Sequence, residues 1–245
     1  MSQNIYDDSD FFKKYVQKDR QVHGLDGAPE WSSVQAMLPD LSGKRIIDLG
    51  CGFGWFCRYA IEQGAKEALG IDISQNMISK AKTFSTNPNI TYHISDLEEL
   101  QLPQTSFDFA YSSLAFHYIQ GFGKLVMTIY QALTPGSYFV FTIEHPIFMA
   151  PTHPEWITNQ DDQRVWPLNQ YLVEGKRTTD WLAKGVIKYH RTLSTTLNSL
   201  IMTGFTIRHV EEWKPSEEQI RQHSEWAVEL DRPSFLLIAA QKDDK

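Results

Sequence analysis

A glycine-rich turn offers the first sign of chemistry in this sequence. The segment Ile46–Trp55 (IIDLGCGFGW) contains Gly50, Gly52 and Gly54 in the pattern G-x-G-x-G, between an apolar strand pattern and a helical pattern. Glycines at such a turn let a ligand approach the bare backbone, and the N-terminus of the following helix presents unpaired N–H groups. A dinucleotide-binding turn has the pattern G-x-G-x-x-G, whereas Trp55 occupies the sixth position here. The spacing therefore favours a different nucleoside ligand over NAD.

Three acidic residues near the ends of successive predicted strands suggest what that ligand carries. Asp48 lies two residues before Gly50, where a carboxylate would repel a pyrophosphate and attract a cation. Asp72 ends the second predicted strand and can accept hydrogen bonds from both hydroxyls of a ribose. Asp96 follows the third strand and can accept from the exocyclic amine of adenine, with the N–H of Leu97 close by. Asp72 and Asp96 could instead cap a helix or turn, but the joint spacing predicts a nucleoside with a positively charged tail.

The elements that must position these groups are short β-rich runs that alternate with helical patterns. Strands are predicted at 45–49, 67–71, 90–95, 107–112, 138–143, 206–212 and 235–241, and helices at 11–16, 31–38, 55–63, 75–83, 122–133 and 194–203. Such alternation is typical of βαβ units and a mostly parallel sheet covered on both faces. Right-handed crossovers then give a doubly wound α/β layer, whose ligands bind at the carboxyl edge of the strands.

An ordered set of motifs resembles the class I, Rossmann-like S-adenosylmethionine (SAM)-dependent methyltransferases of small-molecule type. The matching segments are IIDLGCGFG (46–54), GIDIS (70–74), ISDLEEL (94–100), FDFAYSSLAFHYI (107–119) and LTPGSYFVFTIEH (133–145). The resemblance implies a seven-stranded sheet whose last strand is antiparallel. It also implies that the glycine turn contacts the methionine part of SAM, Asp72 the ribose and Asp96 the adenine. The cofactor-binding residues expected on this basis are Asp48, Gly50, Cys51, Gly52, Gly54, Asp72, Ile73, Met77, Asp96, Leu97 and Ser113.

The strand–helix rhythm breaks after Glu144, which indicates an insertion after strand five. We expect a single methyltransferase domain over residues 1–245, because no linker rich in Pro, Gly or Ser divides the chain. Its expected parts are an N-terminal helical lid or cap (1–43), the SAM-binding core (44–144), an inserted substrate cap (145–190), and a C-terminal helix with the last two strands (191–245).

Candidate catalytic residues follow the fourth and fifth strands, beside the expected position of the methyl group. His117 could orient or deprotonate an acceptor, or it could be an ordinary polar residue of its loop. Glu144 and His145 could each act as a base, and Glu144 could also bind an acceptor amine. Alternatively, Glu144 could only pair with Arg191 or another cation. No His or Cys cluster has the spacing of metal ligands, so no metal is expected.

Candidate substrate residues come from the N-terminal segment and the insertion. Tyr6 and Tyr15 could belong to a lid that excludes water, or to a helix docked on the sheet. Arg20 could bind a carboxylate or lie on a solvated face. Tryptophans of the insertion, among them Trp181, could line an aromatic pocket or form a local core. The expected substrate residues are Tyr6, Tyr15, Arg20, Trp156, Trp166 and Arg191.

Composition narrows the function further. The 245 residues include 23 Lys and Arg against 30 Asp and Glu, a net charge of −7, which argues against a nucleic-acid acceptor. No apolar run is long enough for a membrane helix, no signal peptide pattern is present, and two cysteines fit a reducing cytoplasm. The sequence therefore predicts a cytoplasmic enzyme, monomeric or homodimeric, that methylates a small molecule and produces S-adenosylhomocysteine (SAH). The alternatives are methylation of a protein or carrier-bound acyl group, and a non-catalytic SAM- or SAH-binding module.

Overall fold

Seven strands form the central sheet of the computed structural model, which describes residues 2–244. The strands of the described chain are β1 (Arg45–Leu49), β2 (Glu67–Asp72), β3 (Ile90–Ile94), β4 (Phe107–Ser113), β5 (Leu133–Glu144), β6 (Ile157–Thr158), β7 (Arg164–Val165), β8 (Gly175–Trp181), β9 (Ala183–His190), β10 (Phe205–Glu212) and β11 (Phe235–Lys242). The sheet order is β10-β11-β5-β4-β1-β2-β3. Strands β1 to β5 pair in parallel, and β11 runs antiparallel to both β5 and β10. The predicted seven-stranded sheet with an antiparallel last strand is thereby confirmed.

The helices follow the predicted alternation closely within the core. They are α1 (Ser9–Tyr15), α2 (Asp19–Val22), α3 (Trp31–Met37), α4 (Trp55–Glu62), α5 (Gln75–Phe84), α6 (Phe122–Ala132), α7 (Pro146–Met149), α8 (Leu193–Thr203) and α9 (Glu217–Gln222). Short 3₁₀ turns lie at Ile5–Asp7, Gly24–Gly27, Leu97–Glu99, Phe116–Tyr118 and Ser224–Leu230. None of the helices among residues 2–244 combines the length and the apolar content that crossing a membrane requires.

Two hydrophobic cores cover the two faces of the sheet. Successive side chains of a strand point to opposite faces, and in β1 Ile46 belongs to one core while Ile47 belongs to the other. Helices α3, α4 and α5 pack on the Ile46 face, and α6 and α8 pack on the Ile47 face. Burial on both faces explains why the central strand is almost continuously apolar.

Strand β5 begins at Leu133, well before the predicted start at Tyr138. The early part pairs Leu133 with Phe107, and the register then shifts before Phe109 pairs with Tyr138. Gly136 lies in this irregular part with φ +76°. Pairing with β4 therefore holds the segment that contains Pro135 and Gly136 as a bulged strand.

The region 145–190 contains a hairpin that the sequence analysis did not predict. Strands β8 and β9 pair antiparallel around Leu182, whose φ is +58°. Alternate residues Val186, Lys188 and His190 of β9 are buried. The hairpin contacts the N-terminal segment, where the ring of Phe11 packs edge-on against Trp181 at 5.5 Å between centroids.

Candidate active site

A cavity of about 440 Å³ lies at the carboxyl ends of the parallel strands. Residues at or just after the ends of β1 to β5 line it: Gly50, Asp72, Asp96, Ser113 and Glu144. We call one side the glycine wall, formed by Gly50, Gly52, Asp72, Ile73, Met77, Asp96 and Leu97. A second set of lining residues is the aromatic wall, formed by Tyr6, Tyr15, Arg20, His117, Tyr118, Glu144 and Trp181. The cavity lies at the edge of the sheet where open α/β proteins usually bind their ligands.

The glycine turn leaves room for a ligand against its backbone. Gly50, Gly52 and Gly54 have φ values of +81°, +52° and +70°. A Cβ on Gly54 would lie 2.1 Å from the hydroxyl of Tyr92, so that glycine is required by packing. A Cβ on Gly52 would meet no protein atom within 4 Å. The backbone of Gly52 therefore faces open space in the cavity, where a bound group can approach it closely.

The carboxylate of Asp72 is held rigidly beside this turn. Its Oδ2 accepts the N–H of Gly52 at 2.9 Å and its Oδ1 accepts the N–H of Ser74 at 2.9 Å. Burial raises the pKa of Asp72 to about 6, and the two backbone N–H groups oppose that rise. Each oxygen retains capacity for a further hydrogen bond, so the group can accept from a pair of sugar hydroxyls.

Asp96 already has donors in this structure. Its Oδ1 accepts the N–H of Glu98 at 3.0 Å and the hydroxyl of Ser2 at 2.8 Å, and its Oδ2 accepts the N–H of Ser2 at 3.0 Å. Ser2 therefore makes the kind of contact that the resemblance implies for the adenine amine. The apolar side chains of Ile73, Met77 and Leu97 line the cavity on the same wall. Together with the open Gly52 backbone and Asp72, these groups fit the nucleoside part of SAM.

Asp48, Cys51 and Gly54 do not line the cavity, although the resemblance placed them at the cofactor. Asp48 is 2% exposed and accepts the thiol of Cys57 on α4 at 3.6 Å, and burial raises its pKa to about 7. Burial also raises the pKa of Cys51 well above its usual value. Their side chains pack beneath the turn, so they support its shape from below. The geometry gives them no direct ligand contact.

Glu144 forms the polar centre of the aromatic wall. Its Oε1 lies 2.5 Å from Nζ of Lys188 and 3.9 Å from Nε2 of His117. Its Oε2 is buried and has no hydrogen-bond partner among the described residues. Leaving such an acceptor unpaired costs about 1–3 kcal/mol. Burial would raise the pKa of Glu144, but the positive charge of Lys188, and of His117 when protonated, outweighs it and lowers that pKa.

His117 is neutral at physiological pH. Burial lowers its pKa to about 3, an effect that Lys188 and Arg191 reinforce and Glu144 opposes. Its Nδ1 accepts the backbone N–H of Glu144 at 3.4 Å, which assigns the ring proton to Nε2. An imidazole of this pKa can orient a ligand but is a poor acceptor for the proton of a hydroxyl group.

Uncharged aromatic side chains surround these polar groups. The hydroxyls of Tyr6 and Tyr118 lie 3.1 Å apart, and the ring of Tyr6 packs edge-on against Tyr15 at 5.0 Å. Burial raises the pKa of Tyr15 to about 12 and raises those of Tyr6 and Tyr118. The Nζ of Lys188 lies 5.9 Å from the ring centroid of Tyr118 and 5.2 Å from that of Trp181, within the range of cation–π attraction.

Arg20 lines the cavity but is already paired. Its Nη2 donates to both oxygens of Glu30, at 2.7 and 2.8 Å, and Glu30 is only 1% exposed. Its Nη1 lies 3.4 Å from Oγ of Ser113. The predicted alternative of a solvated face is wrong for Arg20, because this guanidinium joins the N-terminal segment to the sheet.

Residues 2–7, which we call the N-terminal strap, extend across the cavity and are attached on both sides. On one side, Asp7 accepts the hydroxyl of Ser74 at 2.5 Å and the N–H of Asn76 at 3.0 Å, at the N-terminus of α5. On the other side, the Gln3 side chain donates to the carbonyl of Gly185 at 3.0 Å and accepts the N–H of Ile187 at 2.8 Å. The strap therefore connects the glycine wall to the β8–β9 hairpin.

Several predicted catalytic or substrate residues lie away from the cavity. The Nδ1 of His145 accepts the N–H of Ile147 and caps α7, while its Nε2 lies 2.8 Å from Glu212. Arg191 donates to two backbone carbonyls of the segment 116–119, at 2.5 and 2.6 Å. Both side chains are committed to structural contacts and neither lines the cavity. Glu144 pairs with another cation, Lys188, and not with Arg191.

The tryptophans of the insertion divide into two groups. Trp166 stacks on Phe148 at 5.8 Å and meets Trp156 edge-on at 5.3 Å, with the guanidinium of Arg232 above the Trp166 ring at 4.5 Å. These rings form a local aromatic cluster, so the substrate-contact prediction for Trp156 and Trp166 finds no support in the geometry. Trp181, in contrast, lines the cavity.

Sequence reasoning missed Lys188, Tyr118, Gln3 and Glu30. Their partners are remote in the sequence, and no local spacing connects them. The alternation of β9 was the one available signal, because it places Lys188 on the buried face of an antiparallel hairpin.

Comparison with known proteins agrees with this geometry. Residues 47–141 match the methyltransferase domain family. The crystal structure of a SAM-dependent methyltransferase from Mesorhizobium loti is similar, with a TM-score of 0.86, 56% sequence identity, and coverage of 89% of this chain and 100% of that one. An uncharacterized protein of Haemophilus influenzae is 34% identical over 99% of this chain and 98% of its own length. A malonyl-[acyl-carrier protein] O-methyltransferase of Enterobacter lignolyticus is 30% identical, but the match spans only 45% of this chain and 43% of that protein.

Proposed function

Because the chain belongs to the SAM-dependent methyltransferases, we propose that it methylates a small molecule bound against the aromatic wall. SAM, when bound, supplies an electrophilic methyl group and leaves as SAH. The protein must therefore bind, orient and exclude water, because the cofactor carries the difficult chemistry. Holding the acceptor in a near-attack geometry can contribute about 7–11 kcal/mol.

The glycine wall is the proposed cofactor side. Asp72 would accept the ribose hydroxyls, the Gly52 backbone would approach the methionine part, and Ile73 and Leu97 would contact the adenine ring. Asp96 would accept from the adenine amine after Ser2 moves away from it. This assignment is supported by the open space at Gly52 and the fixed carboxylate of Asp72.

One observation supports a small acceptor above all: the strap lines the cavity and runs from Asp96 to the β8–β9 hairpin. Gln3 bonds both a carbonyl and an N–H of the β8–β9 hairpin, so the strap is fixed to the hairpin that carries Trp181 of the aromatic wall. The whole cavity, which the cofactor and the acceptor would share, has a volume of about 440 Å³, within the roughly 300–1,000 Å³ of small-molecule sites. A protein side chain or a carrier arm would have to enter the cavity past this attached strap.

Fractionated cell extract tests the proposal. Extract is separated by ultrafiltration into a small-molecule filtrate and a macromolecular retentate, and each is incubated with the protein and SAM labelled in the methyl group. We expect the label in a filtrate product, with matching release of SAH. The Asp72→Asn variant serves as the control for enzyme-dependent transfer. Label found only in the retentate would overturn the small-molecule assignment and favour a protein or carrier-bound acceptor.

A further inference from the structure

The carboxylate of Glu144 has one oxygen that the protein does not use. Oε1 pairs with Lys188 at 2.5 Å, whereas Oε2 is buried without a hydrogen-bond partner among residues 2–244. The side chain of Glu144 lines the cavity and is 14% exposed. Since buried acceptors are nearly always partnered, this oxygen lacks a donor. Other atoms of the side chain account for its exposure to the cavity, so a small rotation of the carboxylate would bring Oε2 to a donor on a bound ligand.

The charges on the aromatic wall argue against an acidic acceptor. A carboxylate or phosphate would be held best by a free buried cation, but Arg20 is bonded to both oxygens of Glu30 and Lys188 is bonded to Glu144. Lys18 also lines the cavity, but it is exposed to solvent. The aromatic rings of the wall would instead favour a positively charged group on the ligand. Ring faces attract cations, and the ammonium of Lys188 already lies beside the rings of Tyr118 and Trp181.

The wall also lacks a base suited to a hydroxyl acceptor. A hydroxyl must lose its proton as it is methylated, and the conjugate acids of good general bases have a pKa near the working pH. The pKa of His117 is lowered to about 3 by burial, and that of Glu144 is lowered by its cationic neighbours against the effect of burial. An amine that enters the site in its neutral form, after losing its proton to solvent, needs no such base, because its nitrogen already carries a free lone pair.

We propose that the acceptor atom is an amine nitrogen whose N–H donates to Oε2 of Glu144; this inference rests on the proposed function. The nitrogen lone pair forms the new N–C bond while the C–S bond breaks and its electron pair stays on sulfur. The positive charge thereby passes from sulfur to nitrogen, and the nitrogen keeps its protons until the product reaches solvent. Glu144 stabilises the charge that develops on nitrogen, which is a transition-state contact.

Calorimetry with two ligands of the same shape tests the inference without measuring turnover. Benzylamine and benzyl alcohol are titrated separately into protein saturated with SAH near neutral pH. The ammonium form of benzylamine carries the charge that the acceptor nitrogen holds after transfer. We expect benzylamine to bind at least about tenfold more tightly than benzyl alcohol, because a hydrogen bond to a charged group is the stronger kind.

Variants connect this difference to Glu144. In Glu144→Gln the preference for the amine should largely vanish while SAH binds as in the wild type. The double variant Glu144→Gln/Lys188→Met provides the same test without leaving Lys188 unpaired. Glu155→Gln, which alters an exposed carboxylate outside the cavity, should keep the full preference.

The outcomes separate the two proposals. Equal affinity for the two ligands, binding of neither, or a preference that survives in both Glu144 variants would overturn the amine assignment. Failure of the wild type to bind SAH would instead count against the proposed function itself.

Discussion

The two walls of the cavity are built in different ways. On the glycine wall, the key contacts join neighbouring strand ends, as in the bond from Gly52 to Asp72. On the aromatic wall they join segments far apart in the chain, such as Tyr6 to Tyr118 and Gln3 to Gly185. The first wall is fixed by a local turn and the parallel register, whereas the second exists only after the tertiary fold has formed.

The polar groups of the two walls also differ. On the glycine wall, Asp72 is held by backbone N–H groups and has no cationic partner among residues 2–244. On the aromatic wall, acids and bases neutralise one another in the pairs Arg20–Glu30 and Lys188–Glu144. We infer that the glycine wall is preorganised for one cofactor. The aromatic wall would derive its selectivity from an acceptor without a hydrogen-bond partner, Oε2 of Glu144.

The largest effect is expected on protein stability, for a variant that disrupts the aromatic wall. Arg20→Met leaves the carboxylate of Glu30 buried without its partner, which should lower the free energy of unfolding by about 3 kcal/mol. Urea denaturation measures this loss. The double variant Arg20→Met/Glu30→Leu should recover most of it, because no buried charge then remains. A loss below about 1 kcal/mol in the single variant would show that this pair does not hold the wall.

The next largest effect is expected on SAM affinity, for a variant that changes only the glycine wall. Asp72→Ala removes acceptors for two ribose hydroxyls, so SAM affinity should fall roughly 100-fold. Calorimetry measures the affinity, and circular dichroism checks that the fold is kept. Asp231→Ala, on an exposed carboxylate outside the cavity, is the matched control. Unchanged affinity in Asp72→Ala would remove the ribose assignment.

This contrast explains how much the sequence could predict. The strand–helix alternation predicted a mostly parallel sheet, and the resemblance implied seven strands with an antiparallel last strand. The spacing from Gly50 to Asp72 predicted that the glycine turn and this carboxylate meet at the carboxyl edge of the sheet, because that depends on local spacing; the order of the strands was not predicted. The partners of Glu144 and Arg20 could not be predicted, since pairs such as Glu144–Lys188 depend on how a hairpin packs against a strand end. Asp48 and His145 were assigned to the correct strand ends, but the directions of their side chains depend on α4 and α7.

A pH titration sharpens the same comparison. The pKa of Asp72 is raised by burial to about 6, with Asp7 adding to the rise. The ionised form accepts both ribose hydroxyls, so SAM affinity should be full above pH 6 and fall as the pH drops through it, by roughly tenfold at pH 5. Asp72→Asn should abolish this dependence. A fall that persists in Asp72→Asn would point to another group, such as Asp48.

The smallest expected effect concerns the link between the walls. Asp7→Ala frees the N-terminus of α5 from the strap, a contact comparable to a helix cap and worth about 1 kcal/mol. SAH should then dissociate about fivefold faster, as stopped-flow fluorescence can follow. Asp10→Ala, an exposed residue of α1, is the control. An unchanged dissociation rate would mean that the strap does not retain the cofactor.

The central claim is that the two walls bind different molecules, and one crossed measurement tests it most directly. SAM affinity and methyl transfer to the small-molecule filtrate are measured side by side in Asp72→Ala and Glu144→Gln. We expect Asp72→Ala to lose both, and Glu144→Gln to keep SAM affinity within about twofold of the wild type while losing methyl transfer. If Glu144→Gln weakened SAM binding as much as Asp72→Ala, the division of the cavity into a cofactor wall and an acceptor wall would be wrong.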